Sequence, residues 1–212
     1  MKIRTDIQQG SLEWLAARAG IPTASEFDQL LTPEFEIRKG QMPATYLARK
    51  VAEKWLGGPL PGFSSLDMEF GKIREEEALP WYELEFGETV QRVGLVTTDD
   101  GRVACSPDGL IGEDGGLEVK CPEPTAHVKY LLDGEVPKEY RAQVHGAMFV
   151  TGRPWWKFVS YRRHFPPVVH VVFRDEKIQE AIAEALALFL PRLDWAMEAI
   201  AGMNGGLSEG RK

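Results

Sequence analysis

Asp108, Glu118 and Lys120 stand close together in the chain, in Cys105-Ser106-Pro107-Asp108-Gly109 and Gly116-Leu117-Glu118-Val119-Lys120-Cys121. Two carboxylates offer hard oxygen ligands to a divalent cation. A lysine beside them shares the negative charge of a phosphate under attack. The chemistry this set suits is metal-assisted hydrolysis of a phosphate ester.

The spacing sets what must hold these groups together. Glu118 and Lys120 are two apart and share a face of a strand, while Val119 points the other way. Asp108 belongs to the preceding extended segment, and Glu113-Asp114-Gly115-Gly116 reads as the hairpin connection. A three-residue loop of Glu113, Asp114 and Gly115, closed by a left-handed Gly115, pairs Asp108 with Lys120 and Leu110 with Glu118. Ser106, Asp108, Glu118 and Lys120 then share one face, and Val103, Cys105, Ile111, Leu117 and Val119 the other. Leu110 is the misfit on the polar face. A two-residue loop would mix the acids with Ile111, so the apolar pattern selects the register.

The elements around this hairpin follow from periodicity and punctuation. Thr23-Ala24-Ser25-Glu26 is a capping-box pattern that opens a short helix, with unpaired backbone donors at its amino end. Helical spacing runs from Pro43 to Leu56 and stops at Gly57-Gly58-Pro59, and a further helix is expected from about Ser65 to Phe86, interrupted at Pro80. Extended segments are expected at Val90 to Thr98, Arg102 to Ser106, Leu110 to Gly112 and Leu117 to Cys121. Helices at about Thr125 to Asp133 and Lys138 to Val150, strands at Trp155 to Tyr161 and Val168 to Phe173, and a long amphipathic helix from Asp175 complete the order. This is an α/β or α+β domain, a central mixed sheet flanked by helices. Residues 1–204 form the single domain, and 205–212 read as a loose polar tail.

The chain has 212 residues and a net charge of −7, which disfavours coating of nucleic acid by bulk positive charge. Arg38-Lys39, Arg49-Lys50 and Arg162-Arg163-His164 are local cationic clusters that could line a nucleic-acid path. No long apolar run and no leader pattern is seen, so no membrane association is expected and the location is expected to be cytoplasmic, in a bacterium or phage-infected host. The two cysteines read as small buried hydrophobes, not a disulfide.

Trp14 to Glu26, Gly71-Lys72 with Glu75, the Ser-Pro-Asp-Gly and Leu-Glu-Val-Lys-Cys-Pro runs, and Ala142-Gln143-Val144 occur in the order seen in the lambda-exonuclease or viral-recombinase (YqaJ-type) nucleases. The chain resembles that family over nearly its whole length. The resemblance implies a PD-(D/E)xK protein with a restriction-endonuclease-like core, a Mg²⁺-dependent exonuclease that degrades the 5′-ended strand of double-stranded DNA and leaves 3′ overhangs for recombination. It further implies two Mg²⁺ ions per site, Mn²⁺ being a substitute, a ring-shaped homotrimer around the DNA, and a single-strand annealing protein as partner.

Residue by residue, the resemblance makes Asp108 and Glu118 metal ligands, with the Val119 backbone carbonyl completing the shell. Lys120 then orients or deprotonates the attacking water, or stabilises charge on the phosphate. Glu75 matches an additional acid near the second metal, although Glu75, Glu76 and Glu77 together span over half a helix circumference and one of them faces any direction. Gln143 sits on a partly apolar helix face, where its amide needs a partner; the family places that partner at the catalytic site. Arg18, Ser25 and Ser106 match residues that bind the terminal 5′-phosphate, and an anion near a helix start with an arginine's paired donors is physically favourable. His145, His164 and Trp155-Trp156 receive no role. A restriction-like or repair endonuclease, or a silent DNA-end-binding protein on the same scaffold, are the alternatives.

Overall fold

The computed structural model describes residues 1–60 and 77–209, with side chains up to 203. In chain order the elements are β1 (Lys2–Arg4), α1 (Leu12–Arg18), a 3₁₀ segment (Ala24–Gln29), α2 (Gln41–Leu56), α3 (77–86), β2 (Val90–Gln91), β3 (Leu95–Thr97), β4 (Ala104–Cys105), β5 (Gly109–Ile111), β6 (Gly115–Lys120), α4 (Pro124–Asp133), α5 (Lys138–Thr151), β7 (Trp155–Ser160), β8 (Val168–Phe173) and α6 (Glu176–Glu209). The α6 backbone is helical into the stretch whose composition reads as a tail. Among the described residues no helix is long and apolar enough to cross a membrane.

Two sheets form, a mixed five-stranded one in the order β2-β5-β6-β7-β8 and a three-stranded one in the order β1-β3-β4. The strand expected at 90–98 therefore breaks, because it leaves one sheet for the other, and the two segments expected at 102–106 and 110–112 fall in different sheets. The crossing points are residues 92–94 and 106–108, and the Gln9 amide stitches them by donating to the Val93 and Pro107 carbonyls at 2.9 and 2.8 Å. Ser106 and Asp108 thus lie where the chain changes sheets, off the regular ladder.

The β5–β6 register differs from the expected one. Gly109 faces Leu117, Leu110 faces Gly116 and Ile111 faces Gly115, which sets Asp108 opposite Glu118 and not Lys120. The loop still has three residues, but they are Gly112 to Asp114, with Gly112 in the left-handed region at φ 54°. Gly115 and Gly116 are glycines for another reason. Their register partners on β7 are Trp155 and Trp156, and a Cβ at Gly115 or Gly116 would lie 2.1 or 2.3 Å from those rings.

The register moved by one residue on each strand, so the residues within β5 and β6 keep the faces expected of them. Leu117, Val119 and Ile111 pack with Val90, Val159 and the α3 residues Ala78, Leu79 and Tyr82. The opposite face is buried as well, against α5, α6 and the 3₁₀ segment, and it takes in Leu110, Trp156 and Phe158. Leu110 is therefore a core residue and no misfit. Val103 and Cys105 join this second core, not the Ile111 side, because they belong to the region of the smaller sheet. Burial pushes the Cys105 thiol well above its usual pKa, in keeping with an inert apolar side chain, and both cysteines are free.

His145 lies on α5 inside this core, edge-on to Phe35 at 5.6 Å, and its Nδ1 has no partner among the described residues. Burial, with Arg141 nearby and only Asp175 opposing, lowers its pKa to about 4. The unfolded chain binds this proton near pH 6.5 and the folded one only near 4, so stability is complete above pH 6.5 and falls as pH drops toward 4. The loss is expected to reach about 3 kcal/mol. His145→Gln should flatten the pH dependence of urea unfolding between pH 6.5 and 4; an unchanged slope would refute the assignment.

Candidate active site

At the carboxyl end of β6 the ladder to β5 has ended, and an acid takes its place. The Asp108 Oδ2 accepts the Val119 N–H at 2.6 Å. Along a strand the N–H and C=O of one residue point to the same edge and those of the next to the other. Tyr161 donates its N–H to the Lys120 carbonyl at 2.8 Å, which assigns Lys120 to the β7 edge. The Val119 carbonyl consequently points to the Asp108 edge.

Glu118 is 2% exposed, a carboxylate that must be paired to be tolerated. Lys120 Nζ lies 2.6 Å from its Oε1, and the Gln143 amide, reaching down from α5, donates to the same oxygen. Lys120 Nζ also sits 5.2 Å from the centre of the Tyr140 ring, which stacks on Phe158, the β7 register partner of Glu118. Burial by itself would lower the Lys120 pKa, but Glu118 and Asp108 outweigh it and raise the group above its usual value. The ammonium is held charged at neutral pH.

A second set of groups faces these across one cavity of about 510 Å³, lined by Arg18, Ser25, Ser106, Asp108, Glu118, Lys120 and Gln143 together with Gln9, Trp14, Cys121, Pro122 and Tyr140. Arg18, at the end of α1, donates to the Thr23 and Ser25 hydroxyls at 2.9 and 3.3 Å. Thr23 does not cap the 3₁₀ segment with its side chain. Its hydroxyl donates instead to Glu26, which is bound by Lys50 at 2.9 Å and Arg49 at 2.7 Å. Burial would raise the Glu26 carboxyl, but Lys50, Arg49 and Arg18 hold it below the usual range. The charged network explains why the capping box fails as a cap. Glu75 lies outside the described residues, and Glu77 is exposed on α3.

Trp14 is a residue that sequence reasoning missed, because a lone tryptophan at an apolar helix position reads as core. Its indole N–H donates to Ser106 Oγ at 2.8 Å and to the Gly94 carbonyl at 3.0 Å, while the Arg18 guanidinium lies 4.4 Å from its ring centre. One side chain thereby orients two cationic or hydroxylic groups of the cavity. With its lone pair engaged by the indole, Ser106 keeps its own proton for an acceptor in the cavity, and the stacked Arg18 keeps its in-plane donors.

The profile of the YqaJ-like viral recombinase domain matches residues 13–154, which take in every lining residue of the cavity named above except Gln9. The chain belongs to that family. Among solved structures it is similar to an alkaline exonuclease, LHK-Exo from Laribacter hongkongensis, at 30% identity and a TM-score of 0.82, covering 93% of this chain and 100% of that one. The structure of LHK-Exo in complex with dAMP matches with a TM-score of 0.83 at the same identity. A phage-related exonuclease from Haemophilus somnus 129PT shares the fold at 11% identity and a TM-score of 0.67, over 85% of this chain and 96% of that one. Curated protein sequences yield no match.

In this YqaJ-like chain the donors at the β6 end suit a hard divalent ion. Asp108, Glu118 and the Val119 carbonyl offer oxygen only, and Mg²⁺ commonly binds one or two carboxylates while keeping several waters. Among the described residues no three His, Cys, Asp or Glu side chains gather as a metal cluster. Zinc and copper sites draw mainly on thiolate and imidazole ligands, whereas these three donors are oxygens.

Proposed function

We propose that this YqaJ-like protein is a Mg²⁺-dependent exonuclease of the PD-(D/E)xK type, acting 5′ to 3′ on double-stranded DNA and leaving 3′ overhangs. The observation that carries the reading is the shared cavity: Asp108, Glu118 and Lys120 on one side and Arg18, Ser25 and Ser106 on the other. The likeness to LHK-Exo, described as an alkaline exonuclease, supports it.

Asp108, Glu118 and the Val119 carbonyl would hold Mg²⁺ or Mn²⁺, two ions in all with Glu75 toward the second. Bound metal would supply an activated water and neutralise charge on the scissile phosphate. Lys120 offers an ammonium to that phosphate, and Gln143 keeps Glu118 in place by its amide. Arg18, Ser25 and Ser106 receive the terminal 5′-phosphate, which fixes the scissile bond relative to the end. The family resemblance supports a homotrimeric ring around DNA, a single-strand annealing partner and a cytoplasmic location.

An end-labelled linear duplex and a covalently closed circle, each with and without Mg²⁺, test the reading. Stepwise loss of nucleotides from the linear 5′-phosphorylated strand, with Mg²⁺ only, is expected. A circle cut as fast as the linear form would replace it with an endonuclease. Arg18→Ala is expected to lower the discrimination between 5′-phosphate and 5′-hydroxyl ends by about ten- to hundredfold, the value of a charge-assisted hydrogen bond. If the parent cuts both ends equally, the pocket has no such ligand.

A further inference from the structure

Arg162-Arg163-His164 is a cationic cluster that the catalytic reading leaves without a role. β7 runs parallel to β6, so the loop after β7 emerges at the same edge as Lys120. Tyr161 begins that loop with its N–H on the Lys120 carbonyl, and Arg162 donates to the carbonyl of Pro122, a lining residue of the cavity, at 3.3 Å. The loop therefore flanks the mouth of the cavity.

The loop is held in shape from below. His127 is fully buried on α4, with Nδ1 at 2.8 Å from the Ser160 hydroxyl and Nε2 at 2.9 Å from the Pro166 carbonyl. A carbonyl only accepts, so Nε2 carries a proton and donates it to Pro166. Phe165 packs against the His127 ring at 5.7 Å, and His164 takes a left-handed φ of 71°, a conformation an L-residue adopts at some cost. What this scaffold presents is charge. Arg163 and His164 are exposed, and no hydrogen bond or ion pair engages either side chain among the described residues. Among the described residues the acids nearby are Glu77, which shares a cleft with Tyr161, Arg162, Arg163 and His164, and Glu123, whose Oε2 is 4.0 Å from Arg162. Glu123 faces Arg162, and neither acid forms an ion pair with Arg163 among the described residues.

We infer that the β7–β8 loop is a phosphate-backbone contact for the duplex beside the cavity, with Arg163 as its principal donor and His164 assisting. The inference takes its ligand, double-stranded DNA, from the function proposed above. A guanidinium presented on a rigid loop grips a phosphate through paired donors and reads no base, so the contact positions the duplex without selecting sequence. Its cleft is distinct from the cavity that Arg18 lines, which makes it a grip on the duplex body and not on the terminal phosphate.

Binding is tested by fluorescence anisotropy of a labelled blunt duplex in a Lys120→Ala background, so that cleavage does not consume the ligand. Arg163→Ala and Arg163→Glu alter an exposed side chain, and His164→Gly removes the ring while suiting the backbone. Arg163→Ala should raise Kd about three- to tenfold for any sequence and make the slope of log K against log salt shallower by about 1, with a larger rise for Arg163→Glu. In the otherwise unaltered enzyme, Arg163→Ala should raise KM and leave kcat and the preference for 5′-phosphate unchanged. Unchanged Kd and salt slope in both Arg163 variants would overturn the inference, as would a protein that does not bind duplex at all. A protein that binds duplex through Arg163 but cuts nothing in Mg²⁺ would uphold the loop and overturn the exonuclease.

Discussion

Lys120→Ala is expected to reduce cleavage of a 5′-phosphorylated duplex by roughly 10²–10⁴-fold, the range for deleting a charged group that acts only in the transition state. The group sits where that effect is greatest. Its ammonium is 2.6 Å from a carboxylate that is almost wholly buried, over an aromatic ring, and the neighbouring acids raise its pKa although burial opposes them. A raised lysine pKa contributes stability that is complete below the unfolded value near 10.4 and lost only as pH climbs above it, so the pair is intact across the neutral range. Removing the cation leaves Glu118 with the Gln143 amide alone, and a cost of about 2 kcal/mol is expected, below the range for a fully buried pair because Lys120 is partly exposed. Lys120→Met keeps the stem and serves as the control for packing. Rates are compared at temperatures where circular dichroism shows each variant folded. Cleavage by both variants at the parent rate would remove Lys120 from the mechanism.

Much of this arrangement was legible in the sequence because side chains alternate along strands with period two. Glu118 and Lys120 share a face of β6 in either register, and Ser106 and Asp108 line the same cavity from the crossing between the two sheets. The register itself was not legible. Gly112 and Gly115 are equally able to turn left, and the choice depends on Trp155 and Trp156, which occupy the space over Gly115 and Gly116 from a strand forty residues downstream. The burial of both hairpin faces was hidden for the same reason, as it follows from the parallel pairing with β7 and the helices that cover each side. Thr23 shows a local rule overridden by charge: the capping pattern is present, but buried Glu26, held by Lys50 and Arg49, draws the hydroxyl away. Gln143 was readable as an amide needing a partner, whereas the dual contact of Trp14 needed the fold to bring α1 to the sheet crossing.

The second large effect separates metal holding from phosphate contact. Asp108 serves two ends at once, as a hydrogen-bond acceptor for the Val119 N–H and as a negative charge beside the Val119 carbonyl. Asp108→Asn preserves the first, because an amide oxygen accepts the same N–H, and deletes the second. The fold should therefore persist, with a thermal midpoint shifted by only about 2–5 °C. Divalent ions lose one of two formal charges at the site, so the Mg²⁺ concentration for half-maximal cleavage is expected to rise by at least about tenfold and kcat to fall by roughly 10²–10³. Calorimetric titration with Mn²⁺ reads the metal directly, free of any dependence on DNA. The Lys120→Ala protein should still bind Mn²⁺ there, because its two carboxylates remain and a repelling cation has gone. Opposite outcomes in the two variants, metal lost in one and kept in the other while both fail to cut, are what a carboxylate-held metal beside a phosphate-directed lysine requires. Parent-like Mn²⁺ binding and cleavage by Asp108→Asn would leave the acid a structural cap on the end of β6 and move the metal elsewhere.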